Sequence, residues 1–355
     1  LNLLLACLTI EWGNTLKRYF SLEQLNANQP TAYICRLLDA DFAAAAILIS
    51  MGVMLGKLSP VQYVIMVLIE TPAAIAAEHL VEQVLKARGV ELMTIGFAFL
   101  AHNHCATLPD DILQKQRGHE YSLYHTDIFA MIGSLFLWVS WPSFNAATAE
   151  PAEAHHRAII NTVLSLVGCT IATFLTSQLC EPRNCFNMVH IANSPLSGGV
   201  AIGTCANVVL DPIISLGLGT LAGVVSVLGY IYVTPFLSNR LGIHDTCGVH
   251  NLHGMPGILA GLFSVLMADV YKKDQFGASL ASIYPAIAHD GQTEAGQALL
   301  QLAGLGTVLG CSLLSGAMTG LLLRVPCLNQ VRAEEYFADG DYFHTPADYD
   351  LPPTI

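Results

Sequence analysis

Charge is what this sequence has least of. Asp, Glu, Lys and Arg make up 12% of its 355 residues, against roughly 25% in an ordinary soluble domain. Hydrophobic residues reach 53% and the mean hydropathy is +0.52. So little charge cannot cover a water-facing surface of this size. A soluble enzyme is disfavoured, and a disordered or collagen-like chain is excluded. Basic residues are scarcer still. Fifteen Lys and Arg face 27 Asp and Glu, giving a net charge of −12. That is the wrong sign for neutralising phosphates, so nucleic acid is not an expected partner.

Other absences narrow the class. The ten cysteines are scattered without a CxxC pair and read as small apolar helix residues rather than a disulfide or metal framework. There is no N-x-S/T sequon and no basic stretch before the first apolar run, which carries Glu11. No secretory signal is expected from this run. The sequence also lacks an initiator Met and reads as part of a longer chain.

What is present is a series of long apolar runs. A span needs roughly 20 mostly apolar residues to cross about 30 Å of hydrocarbon. Such runs cover residues 1–20, 40–56, 60–85, 90–108, 122–147, 156–180, 187–210, 212–238, 249–271 and 298–325. β-Barrel strands would be shorter and alternating. The expected fold is therefore an all-α membrane protein, a polytopic bundle of about ten transmembrane helices over residues 1–325. Residues 21–38, 109–121 and 272–297 read as loops. Residues 326–355 form an acidic, solvent-exposed, cytoplasmic tail, although the even spread of basic residues gives no orientation of its own. Gly199/Gly203, Gly219/Gly223 and Gly257/Gly261 have the G-x-x-x-G spacing that lets helix backbones approach closely in lipid.

Ionisable groups inside spans carry the functional signal, because lipid does not tolerate them without a purpose. The ninth run opens Asp245-Thr246-Cys247-Gly248-Val249-His250-Asn251-Leu252-His253-Gly254. His250 and His253 stand three apart, on neighbouring points of one helical face. A neutral imidazole offers one donor and one acceptor nitrogen and can meet an N–H substrate without carrying charge. Asp245 reads either as an acid that steadies a cation near a pore mouth or as a helix N-cap. His190, Asn193 and Ser194 in the seventh run, and Asp127 in the fifth, are further polar residues at these depths. Glu70 and Glu78 lie eight apart on one face of the third run.

Five segments together resemble the Rh glycoprotein branch of the ammonium transporter family. They are DADFAAAAILISMGVMLGKLSPVQ (39–62), HTDIFAMIGSLFLWVSWPSFN (125–145), NMVHIANSPLSGGVAIGT (187–204), VLGYIYVTPFLSNRLGIHDTCGVHNLHGMPGI (227–258) and GLLLRVP (320–326). The loop at 272–297 and the acidic tail are most similar to the type B branch. The resemblance implies a homotrimer or an Rh-family heterotrimer in the plasma membrane, basolateral if type B. Each subunit would carry its own pore for ammonia, with ammonium losing its proton as it enters, and carbon dioxide as a second permeant. Phe42 and Phe144 match a phenylalanine gate, His253 matches a pore histidine, and Asp245 matches the acid eight residues before it. His250, Asn251 and His190 are then pore-adjacent. No cofactor or metal is implied, and the tail is a place for a cytoskeletal adaptor.

The sequence departs from the family pattern in two places. The match begins at about the third helix of a twelve-helix pattern. In ARGVELMTIGFAFLAHNHC, Gly96 stands where the second pore histidine belongs, and the acidic position falls near Arg88. His102 lies six residues further on, about 9 Å along a helix, too far for simple replacement. A pore-inactive family scaffold is therefore the alternative expectation. A metal enzyme using HNHC (102–105) and HNLH (250–253) is a weaker one, because standard zinc spacing is missing.

Overall fold

A computed structural model describes residues 1–20, 30–87, 122–332, 335–338, 340 and 342–344. The expectations for Arg88, Gly96, His102, His104 and Cys105 lie outside those residues. The described regular elements are helical. They are α1 (Asn2–Phe20), α2 (Pro30–Val53), α3 (Pro60–Val84), α4 (Tyr124–Ala146), α5 (Ala152–Cys180), α6 (Met188–Asn193), α7 (Ser197–Gly203), α8 (Pro212–Leu241), α9 (His250–Val270), α10 (Leu280–Ile283), α11 (Pro285–Asp290) and α12 (Glu294–Leu323).

Local chemistry sets several of these boundaries. Ser59 and Gln62 cap α3 reciprocally: Gln62 N–H donates to Ser59 Oγ at 3.3 Å, and Ser59 N–H to Gln62 Oε1 at 2.9 Å. Pro60 follows at the first helical position, where its missing N–H costs nothing. Thr293 caps α12 by accepting from Gly296 N–H at 3.0 Å.

Six described helices are long and apolar enough to cross a membrane: α3, α4, α5, α8, α9 and α12. The expectation of ten is therefore not met as stated, and its departures have physical reasons. α1 is helical but carries Glu11, Lys17 and Arg18. α2 begins at Pro30 rather than residue 40, and its added turns carry Arg36 and Asp39. The fourth run lies largely outside the described residues. The seventh run is not one helix. It splits into α6, a 3-10 turn at Ser194–Leu196, and α7. Pro195 removes a backbone donor at the break, and the following Gly198 and Gly199 weaken the helix.

The expected loop at 272–297 is also structured. It holds a 3-10 segment, Lys273–Ser279, followed by α10 and α11. Arg157 of α5 ties this region down, donating to Asn207 O at 2.8 Å and Ser279 Oγ at 3.1 Å.

The G-x-x-x-G reading holds best at α5 and α8. A Cβ on Gly219 would collide with the Ser165 backbone, and one on Gly223 with the Cys169 carbonyl. Elsewhere the outer faces are apolar. Phe129, Ile132, Phe136 and Val139 of α4 are exposed among the described residues, an apolar face unlike one built to meet water. The tail is not wholly exposed as expected. Val331 and Tyr336 are buried, and Phe337 N–H donates to Gly56 O at 2.8 Å.

Candidate functional site

The site is a cavity of about 800 Å³ bounded by α2, α3, α4, α7 and α9. Phe42 from α2 and Phe144 from α4 meet there edge to face, with ring centroids 4.8 Å apart. Trp141, one turn before Phe144, lies 6.1 Å from it and stacks on His253 at 6.4 Å with planes 24° apart. The cavity thus joins the phenylalanine pair, the indole and the α9 imidazole in one continuous wall.

The backbone makes room for this row. A Cβ on Gly199 would strike the Trp141 indole, so α7 can pass close behind the ring only with glycine at that position. Asn145 fastens α4 to the same strip by donating to Gly199 O at 3.0 Å and Thr162 Oγ1 at 3.1 Å. His253 comes from a widened helical turn, His250–Gly254. Such turns displace a side chain from the ordinary helical register. This one packs against a second wide turn in α8, Gly229–Val233, where Gly229 leaves space for Asn251 and Met255.

The structure does not gather every expected residue. His250 precedes His253 by three, but it does not line the cavity. Asn251 is buried and donates to Thr234 Oγ1 at 2.6 Å, joining α9 to α8. His190 is buried against Ser177 Oγ at 3.1 Å, beside Tyr230, and is also outside the lining. Asp127 stays in the first turn of α4 near Ser122 and does not reach the cavity.

Asp245 has a separate position. Its Oδ2 accepts the His250 N–H, the first of the helical turn, at 2.7 Å, while the N-cap position itself is taken by Val249 rather than Asp245. Burial raises its carboxyl from the ordinary range, and the backbone donors of residues 248–250 and the Lys57 charge act against that rise. Thr246 N–H donates to Val53 O at 3.2 Å. That places this segment at the C-terminal end of α2, eleven residues, about 16 Å, from Phe42 along the helix. Asp245 and the phenylalanine pair therefore sit at opposite ends. Gly248, with φ +67°, turns the chain where the Tyr230 ring would block any Cβ.

Among the lining residues, Trp141 and Asp39 were not singled out from the sequence, whereas Glu78 was. Trp141 stood unremarked inside its motif. Asp39 and Glu78 both line the cavity, and Lys17 from α1 pairs with them at 3.5 Å and 2.6 Å. The acids were visible in the sequence. The lysine that holds them lies 61 residues from Glu78, and no local pattern joins the two. Lys86, also in the wall, pairs with Asp290.

Comparison with known proteins agrees with this geometry. Residues 1–344 match the Ammonium Transporter Family. The chain is 38% identical over 349 residues to ammonium transporter Rh type B of Xenopus tropicalis, covering 97% of this chain and 75% of that relative. It is also 38% identical over 348 residues to ammonium transporter Rh type A of Mus musculus, covering 97% and 74%. Among solved structures, Nitrosomonas europaea Rh50, described with the mechanism of conduction by the Rhesus protein family of channels, is similar at a TM-score of 0.76. It is 28% identical and covers 97% of this chain and 83% of that one. A sensor Amt protein, 19% identical over 86% of this chain and 75% of its own, shares the fold at a TM-score of 0.65. On the family match and these relatives together, the chain belongs to the ammonium transporter family, as a multi-pass membrane protein of the channel class rather than an enzyme.

Proposed function

We propose that this chain conducts ammonia across the plasma membrane through the cavity that Phe42, Phe144, Trp141 and His253 line, with ammonium leaving its proton behind as it enters. The observation that carries the reading is the placement of the half-buried His253 imidazole in the same wall as the edge-on phenylalanine pair. A bare ion must surrender its hydration to enter such a wall, at a cost of several kcal/mol. Neutral ammonia does not face that cost, and an imidazole nitrogen can accept one of its N–H bonds. Asp39 and Glu78, at the same cavity, favour the cation on the watery side before it deprotonates.

Three copies of the chain, each with its own cavity, complete this reading; native mass spectrometry would then give three chain masses. The functional test is reconstitution. Liposomes holding the protein should alkalinise faster than empty ones when exposed to an ammonium gradient. Equal rates would overturn the reading and leave the pore-inactive alternative, which rests on Gly96, in its place.

A further inference from the structure

The rim of the cavity on the Phe42 side carries a lysine where a cation would enter. Ala74, Glu78, Glu82 and Lys86 follow one another at four-residue steps along α3 and the turn after it, and all four line the cavity. The first three make this wall apolar and then acidic. Lys86 puts a positive charge at its water-facing end, with its side chain 41% exposed. That charge opposes an arriving ammonium ion and offsets the acids below it.

Lys86 is held in place on purpose-built contacts. Its backbone is left-handed, with φ +51°, a conformation that a lysine keeps only where its surroundings fix it. Gln297 of α12 donates from Nε2 to the Lys86 carbonyl at 3.2 Å. Asp290, the last residue of α11, takes the ammonium group in an ion pair. α11 is six residues long and uses both ends at this rim. Pro285 at its start lines the cavity, and Asp290 at its end meets Lys86.

Exposed ion pairs hold a fold together weakly, and here the partners are 41% and 47% exposed. Stability is therefore a poor account of the pair, and charge is a better one. Below the rim, Lys17 serves both Asp39 and Glu78, one positive charge against two negative ones. Glu82 adds a further carboxyl to the same wall. The approach to Phe42 is thus acidic, provided that Lys86 does not offset it. Asp290 reaches it from 204 residues away in the chain and removes that offset.

We propose that Asp290 governs ammonium capture at the rim, by neutralising Lys86 and so keeping the approach to Phe42 attractive to a cation. It is a positioning residue, acting through the lysine rather than on the ion. The proposal rests on the proposed function only in that ammonium enters by this rim. At a separation of about 7 Å in water, one unit charge changes the local concentration of a monovalent ion about threefold. Salt screens most of that effect.

Ammonium-driven alkalinisation of liposomes holding the full chain, measured against ammonium concentration, tests this. Asp290→Asn should raise the half-saturating concentration about threefold at low salt and keep the maximal rate. The shift should fade as sodium chloride is added. Lys86→Met should move half-saturation the other way, and it carries the test if Asp290→Asn does not fold. The chain with both substitutions should return to wild type. A pair that only staples α11 to α3 would instead leave both single variants and the double variant impaired alike. That pattern, or wild-type half-saturation in Asp290→Asn, would overturn the proposal. A second readout needs no flux. Thr148→Cys places a thiol in the same cavity wall, and its labelling is counted above that of the chain with Thr148. Adding Asp290→Asn should lower the rate with a cationic thiol reagent relative to an anionic one several-fold, and adding Lys86→Met as well should restore it. An unchanged ratio would overturn the proposal. Equal alkalinisation of wild-type and empty liposomes would overturn the proposed function instead.

Discussion

The α5–α7–α8 side of the molecule and the α2–α3–α4–α9 side follow opposite packing rules. In the first, glycines let main chains touch, with Gly219 and Gly223 against Ser165 and Cys169. In the second, large rings and long polar side chains hold helices apart around about 800 Å³. In lipid there is little hydrophobic gain from bringing helices together, so close van der Waals packing must hold the body. The tight side provides that packing, and the open side is free to keep a cavity. Gly199 lies where the two meet, with α5 and α8 behind it and the Trp141 ring in front.

The largest effect should come from filling the tight side. Gly219→Leu sets a side chain into the Ser165 backbone. Overpacking of this kind costs about 1–3 kcal/mol even where side chains can yield, and backbone cannot yield as readily. We expect loss of monodisperse folded protein in size-exclusion chromatography; normal elution and melting would break the contrast between the two sides.

Next comes His253→Leu on the open side. It keeps bulk and removes the acceptor nitrogen, so folding should hold while ammonia flux falls about tenfold, equivalent to about 1.4 kcal/mol of barrier. Thermal melting and liposome flux, measured on one preparation, separate the two effects. A parallel loss of both would make His253 a packing residue.

Lys17→Met is intermediate. It leaves Glu78 and Asp39 facing each other without their shared cation. Breaking a buried pair costs about 3–5 kcal/mol, but these carboxylates are part-exposed at 22% and 34%, so we expect about 1–2 kcal/mol after solvent screening. A melting temperature equal to wild type would show that the open side needs no such brace. The smallest effect is Phe144→Ala, which removes an aromatic pair worth about 0.5–1.5 kcal/mol. Its stability loss should be near that value, with ammonia flux retained.

The sequence carried much of this because membrane chemistry writes itself locally. Apolar runs mark spans, HGMPG places His253, and G-x-x-x-G marks the α5–α8 contact. The phenylalanine pair was visible as two motif positions, and the structure brings their rings together. Other features depend on distant partners or on backbone detail. Nothing in NMVHIANSPLSGGVAIGT except Pro195 signals a broken helix, because the run is apolar throughout. The wide turn that aims His253 away from His250 leaves no residue signature. Glu70 and Glu78 look alike on one helix face. Only tertiary structure gives Glu78 a lysine and leaves Glu70 without one.

Ammonia should pass through the cavity rather than along the outer apolar surface. Ala46→Trp would place an indole in the cavity wall beside Phe42, whereas Ile132→Trp would add the same ring to an exposed apolar face of α4. Both variants would be reconstituted at equal density and their ammonium-driven alkalinisation rates compared with wild type. Ala46→Trp should fall to the rate of empty liposomes while Ile132→Trp matches wild type. Equal flux through both variants would contradict it.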